Sequence, residues 1–233
     1  MNFNNDMEAK SDEKVNYIAA GISALTIAGL LLPTGQVFAA DINKTSVAEV
    51  NIQGGSITLD QVPDLNFGTI EIDKLIAGEV SQPLVDNTVP VGPVKTAADP
   101  KDGNATGDLS VTDNRGTNVG WELTAQLGDM KNAGGKALAG SMILKGTDIK
   151  TDNVSLNAIN PGAALPELVI GGAAVSVWKA NAATGTDDGQ GQGKNTAVIK
   201  NAGGTTLKLK QNLTPTAGQY QAAITWTLAD APK

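Results

Sequence analysis

Two nine-residue segments alternate strictly between apolar and polar side chains, and no other feature of the chain limits its fold as tightly. In Val119-Gly-Trp-Glu-Leu-Thr-Ala-Gln-Leu127, one face holds Val119, Trp121, Leu123, Ala125 and Leu127 and the other Gly120, Glu122, Thr124 and Gln126. In Tyr220-Gln-Ala-Ala-Ile-Thr-Trp-Thr-Leu228, Tyr220, Ala222, Ile224, Trp226 and Leu228 oppose Gln221, Ala223, Thr225 and Thr227. Successive side chains of a strand point to opposite faces, so each segment reads as a β-strand with one face buried and its Trp turned inward.

The surrounding sequence fits the same class. From Asn51 onward, short β-prone runs alternate with clusters of Gly, Asn, Asp, Pro and Thr, the pattern of a sandwich or barrel of short strands. Ile57-Thr58-Leu59, Phe67 to Ile72 and Thr205 to Leu209 are further strand candidates. Asp113-Asn114-Arg115-Gly116-Thr117 and Pro215 to Gly218 carry turn chemistry. Pro83, Pro90, Pro93 and Pro100 make the stretch from Ser81 to Gly107 loop or edge strand, because proline cannot donate to a ladder. Asn132 to Leu144 reads as a short helix or as a strand after a glycine turn. The polar, low-complexity run Ala182 to Asn195 reads as a flexible loop. The expected fold is all-β: a sandwich-like domain of short, mainly antiparallel strands with long Gly/Asn/Pro-rich loops.

A helical leader precedes it. Tyr17 to Leu32 is an uncharged apolar run of 16 residues, followed by Pro33-Thr34-Gly35 and Val37-Phe38-Ala39. The small residues at −3 and −1 match a signal-peptidase site, placing cleavage after Ala39 or Ala40 and leaving residues 40–233 as the mature domain, which is not membrane-spanning. The n-region is unusual in carrying Asp6, Glu8, Asp12 and Glu13 against Lys10 and Lys14, and an uncleaved anchor is the competing reading. Leu32-Pro33-Thr34-Gly35 lacks the variable residue of a sortase signal and lies at the wrong end of the chain, so covalent sorting to a wall is not expected.

Composition removes several function classes. The chain has no His and no Cys, which excludes a disulfide framework, thiolate metal sites and every Ser-His-Asp arrangement. The net charge is −7, and after loss of residues 1–39 it is −5, from 15 basic and 20 acidic residues. Phosphate binding draws on clustered Lys and Arg, so no nucleic-acid partner is expected, and anionic teichoic acids are disfavoured on the same ground. Asp187-Asp188 and the stretch from Asp99 to Asp108 do not match calcium-loop spacing, since Lys101 stands where an oxygen ligand is needed. No metal, cofactor or enzymatic activity is expected.

Several elements in order resemble the WxL-domain family of Gram-positive surface proteins: Leu65-Asn66-Phe67-Gly68, Asp113 to Thr117, Gly120-Trp121-Glu122-Leu123-Thr124, and Ile224 to Pro232. A single Trp-x-Leu carries little information. Two of them, one following the DNRGT turn and one within WTLADAP at the C-terminus, are specific. The resemblance covers roughly residues 45–233 and implies a secreted, cell-surface protein attached non-covalently to the wall, with peptidoglycan or another wall polysaccharide as ligand. It also implies an alternative, an adhesin or complex component held at the wall through a membrane-anchored companion protein.

The family-motif residues are Trp121, Leu123, Trp226 and Leu228. Each Trp either stacks on a sugar or packs in the core, and alternation favours the core because each shares its face with apolar residues. Ligand contacts would then come from loops and the polar faces (Glu122, Thr124, Gln126, Thr225, Thr227), from Trp178, or from Arg115, the sole arginine. Arg115 could grip a ligand carboxylate bidentately or pair with Asp113 within its own turn.

Overall fold

A computed structural model describes residues 42–90, 102–151, 166–185, 188–201 and 204–230. The expected leader and its cleavage site, together with Pro93, Pro100, Lys101 and Asp187, lie outside these residues. The chain divides into two units, Met1–Glu49 and Val50–Lys233. In the first, the described residues 42–49 are exposed and carry neither helix nor strand.

The second unit is almost wholly β. Its elements are β1 (Ile57–Pro63), α1 (Ile72–Ala77), β2 (Val80–Pro83), β3 (Gly103–Asn104), β4 (Asp108–Asp113), β5 (Trp121–Leu127), β6 (Met130–Asn132), β7 (Ala137–Leu138), β8 (Gly140–Ile143), β9 (Thr147–Thr151), β10 (Glu167–Val169), β11 (Val175–Ala180), β12 (Gly193–Val198), β13 (Thr206–Leu209), β14 (Tyr220–Gln221) and β15 (Ile224–Ala229). They form sheets ordered β3-β1-β4-β12-β9, β10-β8-β13-β2, β11-β5-β15 and β14-β6-β7, antiparallel except for the β1–β3 pairing. The expected all-β class is what the chain adopts.

One apolar cluster joins the sheets. Leu supplies most of it, with Trp121, Trp178, Val111 and Ile199 among its solvent-free members. Burial of a side chain this size stabilises by roughly 1.5–3 kcal/mol, which explains why the alternating face of β5 buries completely. Trp121, Leu123, Ala125 and Leu127 are all at most 2% exposed.

Four local expectations need correction. Phe67 to Ile72 is not a strand: the chain there is irregular, and Ile72 begins α1, which turns Leu75 into the core while Ile72 and Ile76 stay exposed. Val119 lies outside β5 and is 40% exposed, because Asn118 and Gly120 adopt positive φ (56° and 67°) and turn the chain just before the strand. At Gly120 this turn is also tight, since a Cβ would collide with the Ala180 carbonyl.

The segment from Tyr220 to Leu228 is not one strand. β14 pairs with β6 and β15 with β5, so Ala222 and Ala223 carry the chain from one sheet to another. Finally, Ala182 to Asn195 is not simply a loop. Gly193 to Asn195 open β12, an inner strand between β4 and β9, and Asn195 is fully buried. Its amide nitrogen donates to the carbonyls of Gly191 (2.8 Å) and Gly193 (3.0 Å), so backbone acceptors hold a residue that looks solvent-bound from sequence, while its Oδ1 is buried without a partner among the described residues.

Two open readings resolve. Asn132 to Leu144 forms β7 and β8 after a turn rather than a helix, and β2, which ends at Pro83, is an edge strand.

Candidate functional site

The turn between β4 and β5 is held by one arginine. Arg115 Nε donates to Asp113 Oδ1 (2.9 Å) and Nη2 to Asp113 Oδ2 (2.8 Å), while the backbone N–H of Arg115 also reaches Oδ1 (3.1 Å). Nη2 further donates to the Gly120 carbonyl (2.7 Å), and Nη1 donates to the Asp230 carbonyl at the end of β15. The fork that would grip a ligand carboxylate already grips Asp113. Arg115 is therefore a clamp that ties the turn to the entry of β5 and the exit of β15.

Asp113 is 4% exposed. Burial pushes its carboxyl up, but the Arg115 hydrogen bonds and charge more than offset this and hold it below its ordinary value. A carboxylate depressed in the folded state stabilises the fold above its unfolded pKa of about 4, and that contribution disappears as pH falls through the folded value. Melting temperatures measured from about pH 6 down to about pH 3 should accordingly fall more steeply below pH 4 in the native chain than in Asp113→Asn; parallel curves would refute the linkage.

The two Trp-x-Leu motifs lie on neighbouring strands. β5 is the middle strand, and Trp226 stands opposite Ala125 and Leu228 opposite Leu123. The two Trp residues differ in environment. Trp121 is 0% exposed, makes an edge-to-face contact with Trp178 (centroids 5.2 Å apart, planes at 89°), and donates its Nε1–H to the Gly191 carbonyl at 3.1 Å. Trp226 sits on the edge strand and is only half-buried against the same core. Trp178, expected as a possible ligand contact, is 1% exposed and offers no face to a ligand.

The remaining sequence-predicted contacts gather on one surface. Glu122 and Thr124 of β5 and Thr225 and Thr227 of β15 lie on the sheet face opposite the motif residues, with Thr227 across from Thr124. Thr124 Oγ1 donates to the Thr227 carbonyl (3.3 Å), and Thr225 and Thr227 are exposed.

A groove of about 1300 Å³ lies beside β15, between residues 59–72 and 215–226, and of the four polar residues just named only Thr225 lines it. Leu127, Met142, Leu207 and Leu209 lie along it, and Phe67, Tyr220 and Trp226 line it with half-buried rings. The charged residues lining it are Asp60, Asp64, Glu71 and Asp102, with no Lys or Arg. Of the five aromatic residues described, two are core and three line this groove. Sequence reading passed over Phe67 and Tyr220, although the scarcity of aromatics in the chain was a usable signal. Among the described residues, no three carboxylates come together in a way that would hold a metal ion.

A family model described as "WxL domain surface cell wall-binding" matches residues 31–232. The chain belongs to the WxL family. As a WxL protein it is associated with the cell surface and wall. No curated protein and no solved structure matches it. No helix among the described residues is long and apolar enough to cross a membrane. In this WxL domain the two halves of the signature are unequal: Trp121 and Leu123 are core, and Trp226 borders a groove.

Proposed function

We propose that this WxL domain attaches a secreted protein to the Gram-positive wall by binding peptidoglycan directly, with the glycan strand lying in the groove. The observation that carries this reading is the convergence of Phe67, Tyr220 and Trp226 on one open groove. Aromatic faces stack on the apolar faces of sugar rings and bury area at little entropic cost. At about 1300 Å³ the groove exceeds the usual 300–1000 Å³ of small-molecule pockets, which suits a polymer. Its purely acidic charged lining suits a neutral sugar backbone and repels polyanionic teichoic acids.

Attachment is read as binding without catalysis. A pull-down on purified peptidoglycan tests both points. Trp226→Ala is expected to keep its circular dichroism spectrum, because the residue is only half-buried, and to lose about 2 kcal/mol of binding, roughly thirtyfold in Kd. Unchanged binding by a folded Trp226→Ala removes the groove from the proposal. Binding that appears only when a membrane-anchored companion protein is added favours indirect attachment, and release of muropeptides would make the chain an enzyme.

A further inference from the structure

The two sides of the groove differ in charge. Residues 59–72 and 102–103 bring Asp60, Asp64, Glu71 and Asp102 to one side, whereas residues 215–226, where Tyr220 and Trp226 stand, contain no charged residue. Asp102 reaches the acidic side through the β1–β3 pairing. Val62 stands opposite Gly103, and a Cβ at Gly103 would collide with the Asp64 carboxylate, so the backbone next to Asp102 packs directly on Asp64.

The carboxylates are not equally engaged. Asp60 accepts hydrogen bonds from the hydroxyls of Thr58 (2.6 Å) and Thr112 (2.5 Å). Glu71 and Asp102 are exposed, and the Glu71 side chain does not cap the helix it precedes. Among the described residues, neither forms an ion pair with Lys or Arg. An ionised carboxylate only accepts hydrogen bonds, so this side of the groove favours a ligand that donates, and most of all one that donates from a positive charge.

We propose that the groove prefers glycan whose amino groups are free, a glucosamine ring laying its face on Tyr220 and Trp226 and presenting its ammonium to Glu71 and Asp102. This rests on the reading that the groove holds wall glycan, and it names the ring substituent that is recognised. One ring meets both sides: its C–H face stacks on the aromatic residues, and its ammonium makes the charge-assisted hydrogen bonds that the acidic side accepts. An N-acetyl group in its place offers a neutral amide N–H and no counter-charge. A cationic peptide carries the charge without the flat apolar face, so a sugar is the occupant that matches the two sides together.

Calorimetric titration of the full chain at low salt with linear tetramers of glucosamine and of N-acetylglucosamine, and with tetralysine, tests this. The glucosamine tetramer is expected to bind about tenfold more tightly than the acetylated one, as two solvent-exposed ion pairs would give, and the preference should shrink as salt is added. Glu71→Gln/Asp102→Asn should abolish the preference and leave affinity for the acetylated tetramer unchanged. Glu79→Gln/Asp188→Asn, which removes the same charge outside the groove, should keep it. All four side chains are exposed, so both variants should retain the native circular dichroism spectrum. Equal affinity for the two tetramers overturns the inference and leaves glycan binding standing. A preference that survives Glu71→Gln/Asp102→Asn, or is lost in Glu79→Gln/Asp188→Asn, overturns it as well, because the charge that matters then lies elsewhere. Tetralysine binding as tightly as the glucosamine tetramer overturns it in favour of a cationic peptide. Binding of neither tetramer also overturns it, and the peptidoglycan pull-down then shows separately whether attachment to the wall stands or falls.

Discussion

Trp121→Ala is expected to be the most damaging single substitution in the described chain, lowering the free energy of unfolding by about 4 kcal/mol. The residue has no exposed surface, stands edge-on to Trp178 of β11, and donates to the Gly191 carbonyl two residues ahead of β12. Its removal leaves a cavity that a close-packed interior does not close, and domains of this kind have only about 5–15 kcal/mol of stability in total. The lost hydrogen bond adds little, because the Gly191 carbonyl keeps its second donor, the Asn195 amide at 2.8 Å. Trp121→Phe, which keeps most of the ring volume, should therefore recover most of the loss. Urea midpoints at constant m-value give the measurement, and a Trp121→Ala chain as stable as the parent would show that the site is not part of the cooperative core.

Arg115→Ala is expected to cost about 3 kcal/mol, the order seen when one partner of a buried ion pair is removed and the other is left uncompensated. Asp113 is the stranded charge, with its side chain 3% exposed beside an Arg115 side chain that is 14% exposed. The same change releases the carbonyls of Gly120 and Asp230. Because Asp230 follows β15, the loss should also appear locally, as faster amide exchange in β15 than in β12. Arg115→Lys keeps the charge but not the planar fork, so it should fall between the two. Equal exchange rates along β15 in the parent and Arg115→Ala chains would refute the clamp.

These two residues show how much of the site could be read from the chain. The DNRGT turn and both alternating segments are local signals, and the structure keeps them: the turn joins β4 to β5, and both Trp-x-Leu motifs lie in strands. Arg115 was legible as a turn residue because its partner Asp113 lies two positions away. Its second role was not legible, because Asp230 lies 115 positions along the chain. Low complexity also hid the β12 strand. Gly and Asn read as solvated, and only backbone carbonyls brought in by the fold turn Asn195 into a core residue.

By itself, the sequence determined the class of the protein. A period of two, interrupted by turn residues, forces short strands, and the paired motifs mark the WxL family. Only the tertiary structure decided that the two tryptophans of that signature have different fates. Alternation states which face of a strand is apolar, not what lies over that face. β5 has strands on both sides, and its Trp121 is sealed against Trp178; β15 is an edge, and its Trp226 is left bordering a groove. The order of strands in a sheet is set by pairings between residues far apart in the chain, and no local pattern contains it.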